Sequence, residues 1–397
     1  MAELRQNTWS LNAWYEQDYA GNVDYSTESK SLKGWGTNAF GGLAQNNTVR
    51  YSSAVQVGSD TDWKFVYSDG DACGATKNDG TFWVWGRNAN NQGLGIQATG
   101  YRSSPVQLPG TNWPVTAGKG TFASMHTAVI KNDGTLWTWG FNSNGRLGHN
   151  QANTSYDSPV QVGSDSTWST VSLSYEATFA TKSDGTAWSW GWNNNGTNSG
   201  ILGQNNTTQY SSPRQIGSDT TWSHIQVGGN GVLATKTDNT LWCWGSNTYG
   251  KLGLNQSSNN VFLSSPQQVG SDTDWDTGAD KIRCSSRHNV GVIKTNGELW
   301  TWGRNDYGQL GHNNRIDRRT PVQTPGTWIQ FSTRHDCCYG LKSDKSLWVW
   351  GRNHQGQLGQ NNATHISSPT QVHGLPSSAT FSVVQARKDG AICMEEN

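Results

Sequence analysis

Net charge is what this chain lacks first: 29 basic residues face 29 acidic ones, and only 15% of the residues are charged. A neutral chain has no basic field of the kind that supplies most non-specific nucleic-acid affinity, so DNA and RNA are excluded as main partners. It also lacks any apolar run approaching the roughly 18 residues of a spanning helix, so no membrane segment is expected. The opening residues 1–14 have no charged-then-apolar design, and no secretion signal is read there. Six cysteines, Cys73, Cys243, Cys284, Cys337, Cys338 and Cys393, form no C-x-x-C pair and hold no fixed position. Without a secretion signal they are read as buried free thiols rather than bridges or metal ligands. The vicinal Cys337 and Cys338 would point to opposite faces of a strand. G-x-S-x-G, H-E-x-x-H and P-loop patterns are all missing, so neither catalytic residues nor cofactor-binding or metal-binding residues are assigned.

Tryptophan and glycine are what the chain has instead, 22 and 47 of them. A pattern whose full form is D-G-T-L-W-x-W-G recurs at residues 83–86, 137–140, 188–191, 242–245, 300–303 and 348–351, with a degenerate copy at Gly34-Trp35-Gly36. The second tryptophans fall at 35, 85, 139, 190, 244, 302 and 350, a period of about 48 to 58 residues. A unit of that size cannot bury its own apolar faces, so the copies must stack or close into a ring. Nineteen tryptophans belong to the repeat and are expected in its core; Trp9, Trp14 and Trp192 do not.

Residues 112–163 serve as the specimen repeat. The alternation predicts a strand over 123–131, then a turn at Asn132-Asp133-Gly134, where glycine accepts the positive φ of a tight hairpin. A second strand at 135–139 puts Trp137 and Trp139 on one face. A loop covers 140–145, residues 146–148 form a short strand or turn, and Ser158-Pro159-Val160 opens the closing strand, with proline at a start or an edge. That closing element also occurs seven times, at 53–58, 104–108, 158–163, 212–217, 265–270, 320–324 and 368–372. After most copies comes G-S-D-T-x-W, whose Ser-Asp pair predicts an Asx turn; it supplies too few carboxylates for a calcium loop. No stretch has helical periodicity, so the fold class is all-β.

The two ends complement each other. Residues 381–395 match the first half of a repeat and stop, whereas residues 29–36 supply only a second half. Joined, they make one composite unit and remove the exposed edges of an open array. Six internal units and this one give seven blades of four strands each, with 381–393 pairing against 32–35.

These residues resemble the regulator of chromosome condensation repeat family, whose signature is close to L-W-x-W-G-x-N-x-x-G-Q-L-G. It stands nearly unaltered at 299–311 and 347–359, and the resemblance covers 29–395. It implies a seven-bladed β-propeller closed by strands from both ends. Members include nucleotide-exchange factors of a small GTPase, ultraviolet-B photoreceptors, inhibitors, ligase subunits, and bacterial and phage proteins; their common element is a rigid disc that holds another protein. The photoreceptor resemblance demands G-W-R-H-T, yet Ser286-Arg287-His288-Asn289 and Thr333-Arg334-His335-Asp336 lack the tryptophan, as does Ser124-Met125-His126-Thr127. The exchange-factor resemblance implies a basic arm, but residues 1–30 carry more acid than base. His126, His288 and His335 fall near one recurring loop, where a histidine orders the turn, and no carboxylate stands out from its repeat-mates.

Two segments break the pattern. Residues 1–28 form an N-terminal arm outside the propeller of 29–397, rich in aromatics at Trp9, Trp14, Tyr15 and Tyr19. Aromatic residues on such an arm are interface anchors, and these four with Trp192, at the head of an extended loop over 192–201, are the expected partner-binding residues. The resulting expectation is a non-enzymatic protein-binding scaffold. The S-S-P-x-Q-V-G-S-D-T spacers resemble bacterial and phage members, so the specific expectation is a virion component anchored by its arm, with a capsid or tail protein as partner and a virion or cytoplasmic location. The alternatives are a regulator of a small GTPase and a carbohydrate-binding propeller.

Overall fold

The computed structural model describes residues 29–68, 70–123, 125–193, 200–256 and 261–397. The arm with Trp9, Trp14, Tyr15 and Tyr19 lies outside them. The first complete blade shows how a repeat folds. Strands Trp63–Ser68, Ala72–Lys77, Phe82–Gly86 and Arg102–Leu108 pair antiparallel in that order, each with its chain neighbour. Phe82 and Val84 point one way, Trp83 and Trp85 the other, and all but Trp83 are fully buried, because each blade is covered on both faces by its neighbours.

Five further blades repeat this order, and the long strand Arg318–Arg334 ends the fifth blade of the ring and begins the sixth, fusing the two into one sheet of seven strands. The last blade is the composite one. Lys30–Gly36 pairs with Gly390–Glu396 from Lys30↔Glu396 to Gly36↔Gly390, in the order Tyr51–Gln56, Lys30–Gly36, Gly390–Glu396, Thr380–Arg387. The expected closure is therefore present, and the molecule is an all-β, seven-bladed propeller.

Two side-chain devices recur around the ring. The second tryptophan of a blade donates its indole N–H to a carbonyl of the preceding blade's loop: Trp85 to Gly42, Trp139 to Gly93, Trp244 to Ile201, Trp302 to Lys251, Trp350 to Gln309, at 2.8–3.1 Å. Trp35 donates to Gln357 at 3.0 Å, so the same bond shuts the ring. Trp190 is the exception; the Arg146 carbonyl in the equivalent place accepts the Thr178 hydroxyl at 2.7 Å. The second device is a buried asparagine two residues after each W-x-W-G glycine. Its side-chain oxygen accepts the N–H of a leucine further along, as from Leu43 to Asn38, Leu147 to Asn142, Leu310 to Asn305 and Leu358 to Asn353 at 2.8–2.9 Å. These side chains replace the ladder bonds the loop backbone has given up.

Two details differ from the sequence reading. The strand expected over 123–131 is two strands, Gly120–Phe122 and His126–Ile130, joined by a tight turn in which Ala123 N–H donates to His126. No Asp-Gly or other turn marker stands between the two, which hides the break. The first tryptophan of each W-x-W, Trp83, Trp137, Trp188, Trp242, Trp300 and Trp348, is half-buried rather than core. A lysine covers each ring, as Lys182 does over Trp188 at 4.1 Å. Residues 146–148, expected as a short strand or turn, take the turn, directly after the short 3-10 segment Ser143–Gly145. The Asx turns are present at Asp165 and Asp219, whose carboxylates accept from Thr167 and Thr221. All six cysteines are free and buried, and Cys337 and Cys338 pack into different core clusters, as opposite strand faces require.

The innermost strands surround a narrow channel of about 60 Å³, to which every blade contributes, through Tyr67, Thr121, Ser172, His224, Arg283, Ser332 and Gln385 among others. Burial drives the His224 imidazole down to about 3, so it is neutral in the channel wall.

Candidate functional site

In a four-stranded antiparallel blade, the turn between the first two strands and the loop after the third lie at one end. Seven such ends make one face of the disc. A backbone bond ties them in every blade: the N–H after the W-x-W-G glycine donates to the residue just before the second strand. The donors are Thr37, Arg87, Phe141, Trp192, Ser246, Arg304 and Arg352, and the acceptors Asp389, Asp71, Met125, Glu176, Asn230, His288 and Asp336. These fourteen positions are held by backbone alone, so their side chains are free to differ.

Differ they do. On one arc, Asp336 is fully buried and is bracketed by cations. Arg287 reaches it at 3.2 Å, Gln309 donates to it at 3.1 Å, and Arg352 stands 3.9 Å away. Burial raises the Asp336 carboxyl above its ordinary range, against the pull of the Arg287, Arg304 and Arg352 guanidiniums. Arg304 lies over Tyr249 at 5.1 Å and Arg352 over Tyr307 at 5.2 Å, so each arginine bridges back to the preceding blade's loop. Beneath Tyr249, His288 sits 3.3 Å from the buried Lys251 amine. Burial lowers Lys251 to about 8, and burial with the neighbouring Lys251 and Arg304 holds His288 near 3. Arg287 keeps 40% of its side chain exposed, the part of this cluster most open to a partner.

The opposite arc is aromatic. Tyr175, 52% exposed, stands in the turn before Glu176, and Phe141 and Trp192 occupy the donor positions of the second and third blades, both half-buried. Arg146, buried beneath them, donates to the Tyr175 carbonyl at 2.9 Å, lies over Phe141 at 5.4 Å and pairs with Glu176 at 3.6 Å. Trp192, the one expected partner-binding residue that falls within the described residues, thus joins this face, though residues 194–199 of its loop lie outside them. Arg304, Arg352 and Tyr175 were not singled out from sequence, and Arg287 and Asp336 were met only within the two Arg-His stretches. The register of the second strand marks them, since each position is set by its distance from the W-x-W-G.

Residues 121–397, well over half of the chain, match the family model described as RCC1-like domain. The chain belongs to the RCC1-like domain family. Among relatives of this RCC1-like propeller, the Arabidopsis thaliana ultraviolet-B receptor UVR8 is 29% identical over 244 residues, 60% of this chain and 52% of that one. Human E3 ubiquitin-protein ligase HERC2 is 26% identical over 262 residues, 64% of this chain and 5% of the ligase. The chain therefore spans about half the length of the receptor it matches and a small part of the ligase. Among solved structures, Saccharomyces cerevisiae Prp20p, a protein with binding properties toward Gsp1p and histones, superposes with a TM-score of 0.79 at 16% identity, over 96% of this chain and 94% of that one. Human WBSCR16 gives 0.77 at 17% identity, over 93% and 99%. Both establish the shared fold.

In this RCC1-like propeller the two Arg-His pairs are one step out of phase. His288 directly precedes its second strand, whereas His335 is two residues before Cys337 and faces Asp389 at 3.5 Å. The positions before the two arginines hold Ser286 and Thr333, not tryptophan. His126 begins a strand, is fully buried and lies 3.3 Å from the Thr178 hydroxyl.

Proposed function

We propose that this propeller is a non-enzymatic protein-binding scaffold whose working surface is the face built from the first turns and the third-strand loops. The observation that carries this reading is the side-chain content of that face, an aromatic arc of Tyr175, Phe141 and Trp192 and an arginine arc of Arg287, Arg304 and Arg352. Tryptophan, tyrosine and arginine are the residues on which interface energy concentrates. The backbone bonds beneath them keep the side chains in place before a partner arrives, which lowers the entropy lost on binding. Proteins named beside the fold relatives, such as Gsp1p and histones for Prp20p, are partners of those molecules and support only the general class. The capsid or tail partner expected from sequence rests on spacer phrases, and the relatives given above come from a plant, mammals and yeast, so the proposal stops at a protein partner. The arm of residues 1–28 is proposed as a second, separate attachment.

The test compares proteins captured by the full chain with those captured by Tyr175→Ala/Trp192→Ala, by Arg287→Glu, and by residues 29–397. A partner lost from either face variant but kept by the arm deletion supports the face. A partner kept by both face variants and lost without the arm moves attachment to residues 1–28.

A further inference from the structure

A lysine at the end of the second strand recurs in six blades, each time between two indoles. In four of them the linker before the blade supplies an aspartate that pairs with it. Lys77 pairs with Asp60 at 2.7 Å, Lys182 with Asp165 at 2.5 Å, Lys294 with Asp272 at 2.7 Å, and Lys236 with Asp219. Lys131 of the second blade is held the same way, 4.5 Å from the Trp113 ring and 4.2 Å from Trp137. Its linker, however, reads Leu108-Pro109-Gly110-Thr111-Asn112, with glycine where the others carry aspartate. Among the described residues no carboxylate forms an ion pair with Lys131. The consequence appears in the ammonium groups: aspartate bonds raise Lys77 and Lys294 despite burial, whereas burial lowers Lys131 with only partial relief from the Asp133 charge.

The missing side chain leaves room. A Cβ built on Gly110 meets nothing within 4 Å. Beside it opens a cavity of about 510 Å³ on the outer rim between the first and second blades, lined by Ile96, Val106, Pro109, Trp113, Trp137 and Pro159 with Lys131. The sixth blade shows that loss of the aspartate alone is not enough. Its linker is one residue shorter and runs as continuous strand, and Gly326 lies so close that its Cβ would stand 3.3 Å from the Lys342 side chain.

The geometry points to a binding site for an apolar monocarboxylate, either a free acid or the C-terminal residue of a peptide. The ligand's carboxylate takes the place that aspartate fills in four sister blades and pairs with Lys131. Its ring or branched chain lies against the Trp113 and Trp137 indoles and the Ile96–Pro159 wall. A cavity of this size suits one such group, and a charge-assisted bond to a partly desolvated ammonium selects the ionised acid. This site is separate from the face proposed for protein binding, and neither reading depends on the other.

Titration calorimetry on the full chain tests it with four probes: phenylpropionate, its amide, and an acetylated Gly-Gly-Phe peptide with free or amidated C-terminus. At least one acid is expected to bind, at least roughly tenfold more tightly than its amide. Binding of the free acid alone identifies a small-molecule site, and tighter binding of the peptide acid identifies a chain terminus. Lys131→Met should lose the preference for acid over amide. Lys131→Gln, which keeps a stem between the two indoles and removes the charge, should lose it as well. Equal binding of acids and amides, no binding of either acid at millimolar concentration, or unchanged acid binding by Lys131→Met or, should that variant not fold, by Lys131→Gln would overturn the assignment.

Discussion

Trp300 and Trp302 differ by two positions, share a strand face, and do different work. Trp302 is fully buried, packs at 6.5 Å from Trp275, and donates its indole N–H to the Lys251 carbonyl of the preceding blade. Trp300 also packs against Trp275, at 6.4 Å, but it is half-buried under Lys294 and its indole N–H donates to Glu298 in its own strand. Removing a large buried ring costs roughly 3–5 kcal/mol, because the cavity adds to the lost transfer energy. Trp302→Ala is therefore expected to lose about that much stability in urea denaturation, and Trp300→Ala clearly less. Equal losses would mean that the repeat tryptophans are interchangeable packing and that the inter-blade bond contributes nothing. From sequence the two look alike, since periodicity assigns both to one face and says nothing of what covers that face. The buried asparagines were similarly hidden. They stand in the recurring G-x-N of the motif, but their partner is a leucine N–H, and backbone donors leave no trace in sequence.

At the scale of the element, strands and turns were readable wherever Asp-Gly or a paired tryptophan marked them, and unreadable in the inner strands, whose turns carry no shared marker: Ser174-Tyr175-Glu176 in one blade, Gly229-Asn230 in the next. The candidate face was unreadable for another reason. Arg287 and Gln309 come from the fifth blade, Asp336 and Arg352 from the sixth, and only the register that places each beside the next makes Asp336 unlike its repeat-mates. The linkers were half-read: Asp165 makes its Asx turn with Thr167, and it also pins the linker to the second strand through Lys182. The Lys182 bond, with the Thr167 hydroxyl and amide, holds the Asp165 carboxyl at about 2, below its ordinary value near 3.8. A carboxyl lowered in the folded state contributes stability above its unfolded value and loses it as pH falls through the folded one. The linker 163–168 should thus stay protected from amide exchange down to about pH 4 and open between about pH 4 and 2. Asp165→Asn should remove that acid-dependent opening. An exchange profile in 163–168 that is unchanged by the substitution would show that the ion pair is incidental to how the linker is held.

For the molecule as a whole, closure is what turns seven similar sheets into one unit. Each internal blade is covered by a neighbour on both sides, but the composite blade exists only while both chain ends are in place. Residues 381–397 bring Phe381, Val384, Ile392, Cys393 and Met394 into its core, each nearly or fully buried. At roughly 1.5–3 kcal/mol for each large apolar side chain, an upper estimate because unfolded chains already bury part of this surface, their removal approaches the ~5–15 kcal/mol of a typical domain's net stability. The loss would not stop there. The strand Lys30–Gly36 would lose its whole partner from Lys30↔Glu396 to Gly36↔Gly390 and stand as a hairpin with Tyr51–Gln56, with one edge open. The inner strand Arg318–Arg334 of the sixth blade would lose the bonds that Gln330 and Ser332 accept from Val384 and Ala386. Deleting residues 381–397 is therefore expected to abolish the cooperative melt, or to lower it far more than any single Trp→Ala change, with apolar surface exposed to dye. All four strands of the composite blade lie within residues 30–396, so deleting residues 1–28 should leave the melt in place. A truncated chain that melts at the temperature of the intact one would mean that six blades suffice and that the terminal strands only decorate a ring held by the Trp-to-carbonyl bonds.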